Sequence, residues 1–204
     1  GLHQYSYSYG PLSEQLIHVI DLHHFDNNNN NNDSGGAAAV RNEAERNKIA
    51  FDGNILAFVH GGGWGSGKPW MYRLTAEGLA RRLKARYVIL IQHPVFPVTN
   101  ILEQRDMIYE AMKFINSEEW MTNNDHTKDA TTNTNTNTII GDGKNRNRKV
   151  FLSGHSSGAN ISALALIKAV KQKVKLADIF ISLSGVYDIG KHYEWEKARG
   201  VHLI

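Results

Sequence analysis

Two stretches of the chain carry residues whose types and spacing could do chemistry: VFLSGHSSGAN, residues 150 to 160, and FVHGGGWGSGK, residues 58 to 68. In the first, His155, Ser156 and Ser157 stand between Gly154 and Gly158, a GxSxG pattern directly after a β-rich run. A serine hydroxyl attacks a carbonyl only when a base takes its proton, and it meets substrate only if the backbone turns sharply to present it. Glycines on both flanks let strand and helix close around such a turn. Ser156 is therefore the candidate nucleophile. The N–H of Ser157, opening the next helix, is a candidate donor to the oxyanion formed on attack. GxSxG alone is a weak signal, because a serine capping a helix after a strand gives the same pattern.

The second stretch strengthens the reading. His60-Gly61-Gly62-Gly63-Trp64 follows the apolar run Ile55 to Val59, and consecutive glycines allow main-chain N–H groups to turn toward a substrate that side chains would otherwise block. Gly62 and Gly63 are the expected donors of this loop, each fixed donor being worth about 3 kcal/mol in the transition state of acyl transfer. His60 is read as holding the loop and Trp64 as packing it. The same glycines admit a rival: Gly62 through Lys68 fit GxxxxGK, the start of a phosphate loop. The eighth position is Pro69, which has neither the magnesium-binding hydroxyl nor an N–H, and this argues against a nucleotide.

These residues need elements to position them. Gln15 to Leu22, Ile55 to Val59, Tyr87 to Ile91, Lys149 to Ser153 and Ile179 to Leu183 read as strands, the last four as short apolar runs suited to parallel pairing. Tyr72 to Lys84, Ile101 to Ile115 and Ser157 to Lys171 read as helices, the last with a broad apolar face that includes Ile161, Leu164, Ala165, Ile167 and Val170. Strands alternating with helices imply right-handed crossovers and an α/β fold, a mostly parallel sheet with helices on both faces. One domain over 1–204 is expected, interrupted by polar inserts at about 26–48 and 122–147 whose asparagine-rich and threonine-rich runs have little to bury.

The composition sets limits. A net charge of +3 over 204 residues, with no continuous basic face, does not indicate nucleic acid. The absence of cysteine excludes disulfides and thiolate zinc sites and fits a cytoplasmic protein. No run reaches the roughly 18 apolar residues of a membrane span. His23, His24 and Asp26 lack a convincingly spaced third ligand, so no metal and no cofactor is indicated.

Taken in order, HGGGWGSGKPWMYR, QHPVFP, ILEQRDMIYEAMKFI, FLSGHSSGAN and LSGVYDIGKHYEWEKARGVH resemble the α/β-hydrolase esterases and lipases. Within that fold they are most similar to the isoprenylcysteine methylesterase and kynurenine formamidase groups. The resemblance covers most of the chain outside the inserts. It implies the first six strands of that fold, Ser156 as nucleophile, and a small-molecule ester as substrate. An N-formyl amide is the alternative substrate, and a non-catalytic module of the same fold that binds ligand through the glycine loop is the alternative function.

A nucleophilic serine needs a histidine, and the histidine a carboxylate, in the order Ser, acid, His on this fold. Downstream of Ser156 the chain offers Asp178 and Asp188, and His192 and His202. Ser156, Asp188 and His202 match in order, yet about 60 residues of further strand and helix would be expected before a properly seated histidine. Asp188 and His192, four apart, would share a helix face and form a local ion pair. The expectation is that Asp188, His192 and His202 belong to the fold or the pocket wall and that the activating pair lies beyond Ile204. The domain would then be truncated, with little or no activity of its own. Asp106 is expected to be a solvated helix charge. Tyr187, Tyr193 and Trp195 are expected to pack.

Overall fold

The computed structural model describes residues 4–22, 52–122 and 148–200. The polar inserts, His23, His24, Asp26 and His202 lie outside the described residues.

The strands are β1 (Gln4–Ser8), β2 (Leu16–Asp21), β3 (Asp52–Val59), β4 (Ala85–Gln92), β5 (Val150–His155) and β6 (Ile179–Leu183). They form a six-stranded sheet in the order β1-β2-β4-β3-β5-β6. β4, β3, β5 and β6 are parallel, while β1 and β2 join antiparallel at one side. The helices are α1 (Arg73–Arg82) after a 3-10 turn at Pro69–Tyr72, α2 (Ile101–Ser117), the short α3 (Glu119–Thr122), α4 (Ser157–Lys171) and α5 (Ile189–Ala198). This is the fold expected from the alternation of apolar runs. β1 was not expected, because QYSYS is polar and half exposed and takes its strand form from pairing with β2 rather than from burial.

The strand period divides the core. Ile55, Ala57 and Val59 of β3 face one side with Ile89 and Ile91 of β4, and α2 and α4 cover them through Ile108, Met112, Ile115, Ile161 and Ala165. Leu56 and Phe58 face the other side with Val88 and Leu90, beneath Ala76 and Ala80 of α1. The buried face of α4 is narrower than expected. Ile161, Ala165 and Ala169 are inside, whereas Ile167 and Val170 are exposed, since α4 presents one stripe to the sheet and α2.

Asp106 is not a free surface charge. It accepts from Arg105 and, across the helix pair, from Lys168 Nζ at 2.8 Å, which draws its carboxyl below the usual range. It thus ties α2 to α4. α2 starts on a capping box: Asn100 Oδ1 accepts from the amides of Leu102 and Glu103, and Glu103 Oε2 accepts from the Asn100 amide. Asn100→Ala is expected to lower stability by about 1 kcal/mol in urea unfolding, and an unchanged midpoint would show the cap to be idle.

Candidate active site

Parallel strands release their following loops at one edge of the sheet, and both motifs emerge there, the glycine loop from β3 and the serine turn from neighbouring β5. Ser156 sits at φ +52°, ψ −121°, a conformation that costs a residue with a Cβ roughly 1–3 kcal/mol. The surrounding structure holds it there. Its amide donates to Leu183 O of β6 at 2.9 Å, and its carbonyl accepts from Ala159 N and Asn160 N at 3.1 and 3.2 Å. Its hydroxyl makes no capping bond to α4. The helix-cap explanation of this serine therefore fails: the side chain is half-buried and is not used by the helix it precedes.

The flanking glycines are required by close approach. A Cβ on Gly154 would stand 2.7 Å from Ala159 N and Gly158 O, and one on Gly158 would stand 2.5 Å from Val59 O. Gly158 thus brings the start of α4 directly against the end of β3, where the glycine loop begins. From the other side, a Cβ on Gly61 would lie 2.7 Å from His155 O and 3.1 Å from the Ser156 Cβ. The two motifs are in contact. Gly62 at φ +141° and Gly63 at φ +58° bend the loop where most side chains would be strained. Ser157, the first residue of α4, is buried, and its amide has no acceptor within the helix.

The loop is held from behind. His60 is buried and its Nδ1–H donates to Gly61 O at 3.1 Å, which agrees with its expected structural part. Its ring stacks on His93, with centroids 4.6 Å apart and planes 2° from parallel. His93 in turn donates from Nδ1 to Pro94 O at 3.0 Å. Burial pushes both imidazoles down, His93 to about 4 with the neighbouring His60 adding to the effect, so the pair is neutral at pH 7. Trp64, at φ +63°, places its carbonyl between Phe96 N and Gln104 Nε2, each 2.9 Å away. Gln104 of α2 has no exposed surface and fastens the far end of the loop to the next crossover. On the serine side, Tyr72 Oη and His155 Nδ1 are 3.1 Å apart.

His93, Gln104 and Tyr72 are supporting residues that sequence reasoning missed. His93 had a signal: it follows β4 as His60 follows β3. Gln104 and Tyr72 had none, since a polar residue within a helical pattern does not announce its burial.

Asp188 and His192 do not pair with each other. Asp188 is the N-cap of α5, its carboxylate accepting from Lys191 N at 2.9 Å, and His192 Nε2 lies 4.0 Å from Glu196. An N-cap side chain folds back over its own first turn, so it shares no face with the residue four later. α5 buries no residue, and Tyr187, Tyr193 and Trp195 are exposed rather than packed. Among the described residues no histidine hydrogen-bonds Ser156. His18 bonds Ser6 and Gln92, while His60, His93, His155 and His192 have the partners already given.

The strand order, the strained serine turn and the glycine loop resting on it define an α/β hydrolase. The sequence profile of the alpha/beta hydrolase fold family matches residues 56–201, and the chain belongs to that family. No curated protein matches it. Solved structures share the fold at low identity. Carboxyl esterase 2 from the fungus Tuber melanosporum aligns with a TM-score of 0.55 at 16% identity, over 89% of this chain and 44% of that one. Esterase B from Lactobacillus rhamnosis gives 0.58 at 14% identity, over 98% of this chain and 54% of the other. A bacterial heroin esterase gives 0.53 at 16% identity, over 89% and 43%. The chain therefore spans about half the length of the structures it resembles, or slightly less. Among the described residues no helix is long and apolar enough to cross a membrane, and no group of acidic and histidine side chains could hold a metal ion.

Proposed function

We propose that this chain carries the nucleophile and the oxyanion hole of a serine hydrolase that cleaves carboxylic esters of small molecules. Ser156 Oγ attacks the ester carbonyl, and a base takes its proton. The amides of Gly62, Gly63 and Ser157 hold the oxygen as it becomes negative. The alcohol leaves with a proton, and water then releases the acid from the acyl-serine. The observation that carries this reading is the strained backbone of Ser156 with its hydroxyl left out of the helix cap, in contact with a glycine loop that has no other evident work. Esterases among the structures sharing the fold support the choice of ester over amide. Among the described residues no histidine hydrogen-bonds Ser156, and the reading assigns the base to none of them.

Fluorophosphonate labelling followed by mass spectrometry tests the proposal. The expected result is modification at Ser156 that is absent in Ser156→Ala. Labelling that persists in Ser156→Ala, or a wild-type chain that takes up no label at Ser156, sinks the reading.

A further inference from the structure

Beside the glycine loop, on the β4 side, lies an open groove of about 530 Å³ lined by Gly63, Trp64, Phe96, Ile101, Leu102 and Gln104, together with the cap residue Asn100. That volume falls within the roughly 300–1,000 Å³ of small-molecule sites. The walls are mostly apolar. Phe96 is 63% exposed and Leu102 57% exposed, which is unusual for large apolar side chains standing together at a sheet's functional edge. The floor is rigid, because Gln104 Nε2 and Phe96 N both hold Trp64 O, and the capping box fixes the start of α2.

Gly63 belongs both to this groove and to the glycine loop, whose Gly61 rests on the serine turn. A Cβ on Gly61, Gly62 or Gly67 would come within 3.0 Å of neighbouring backbone, so at Gly62 and Gly67 the missing side chain lets the loop fold on itself and at Gly61 it lets the loop rest on His155. At Gly63 nothing lies within 4 Å of where a Cβ would stand. Gly63 is exposed, it is a wall of the groove, and its amide belongs to the proposed oxyanion hole. A substrate whose carbonyl oxygen meets that amide has one substituent lying over bare backbone, with the groove immediately beyond.

We propose that the groove is a specificity subsite for an unbranched apolar substituent of the ester, entered over Gly63 and lined by Trp64, Phe96, Ile101 and Leu102. The inference rests on the oxyanion assignment above, and it names the substrate class: esters with an aliphatic arm of several carbons, in preference to acetates and other short esters. Among the described residues the groove lining includes no acidic or basic side chain, so a charged arm meets no partner among them.

Two ketones test it without any hydrolysis. 2-Octanone and 2-butanone carry the same carbonyl for the oxyanion donors and differ only in the length of the apolar arm. Calorimetric or ligand-observed NMR titration of the 204-residue chain is expected to show 2-octanone bound about tenfold tighter. Leu102→Asp, at an exposed position in the first turn of α2 where a carboxylate suits the helix end, is expected to erase that preference. Val170→Asp, on the exposed side of α4 away from the groove, is expected to leave it intact and so to exclude general partitioning onto apolar surface. Equal affinity for the two ketones, or a preference that survives Leu102→Asp, overturns the subsite. If the chain-length preference holds while the fluorophosphonate fails to label Ser156, the groove stands and the hydrolase reading falls.

Discussion

Gly158→Ala is expected to destabilise the protein by about 3 kcal/mol or more, although it adds a single methyl group inside a helix. Alanine is ordinarily the better helix former, by about 1 kcal/mol over glycine. At this position the methyl carbon would be driven into the carbonyl oxygens of Val59 and His60, which are main-chain atoms of β3 and the glycine loop and cannot rotate aside. Overpacking against movable side chains costs about 1–3 kcal/mol, and against fixed backbone on the central strand the cost lies at or above the top of that range. Relief requires α4 to lift away from β3, which also parts the serine turn from Gly61 of the glycine loop. Gly78→Ala is the matched control. It lies within α1, where nothing stands within 4 Å of the added carbon, and it is expected to leave stability unchanged or raise it by up to about 1 kcal/mol. Urea unfolding of the two variants decides the matter. If Gly158→Ala retains wild-type stability, the two motifs are not in the contact described.

That contrast shows what could be read from the sequence. GxSxG after a strand carries its geometry in its glycines, since each answers a backbone collision that any chain making the turn would meet, and the turn is found where the pattern put it. HGGGW was legible for the same reason. The parallel strands were legible because burial on both faces demands unbroken apolar runs such as ILAFV and YVILI. What the sequence hid depends on tertiary surroundings. β1 has no apolar period and exists through its pairing with β2. Ile167 and Val170 extend an apolar stripe past the point where α4 meets the sheet, and Tyr193 and Trp195 of α5 resemble core residues although about half of each is exposed, Trp195 lying under the Arg199 guanidinium. Asp188 and His192 had the right spacing for a pair, but the helix began one residue after Asp188 and used its carboxylate as a cap. The carboxylate that spacing offered to His192 is taken by the Lys191 amide.

The stacked histidines behind the glycine loop make stability depend on pH. His93 is 5% exposed, and burial together with the adjacent His60 lowers it from 6.5 to about 4. In the unfolded chain the same imidazole titrates near 6.5. Between those values the unfolded chain binds a proton that the native protein refuses, so the native state loses ground as pH falls from 6.5 to about 4 and holds its full advantage above 6.5. At about 1.4 kcal/mol per unit the loss is about 3 kcal/mol. Asp106 and Asp178, both drawn below 3.8 in the folded protein, lose their contribution mostly at lower pH still, and the comparison with His93→Phe cancels them. His93→Phe keeps a flat ring against His60 and removes the titration. The expected result is that wild-type stability from urea unfolding, minus that of His93→Phe, increases by about 3 kcal/mol between pH 4 and pH 7. Parallel curves for the two proteins would mean that His93 takes up its proton in place, without disturbing the stack. The window also bears on chemistry. A charged ring at either position would be pressed against its neighbour beneath the glycine loop, so it is this loop that acid strains.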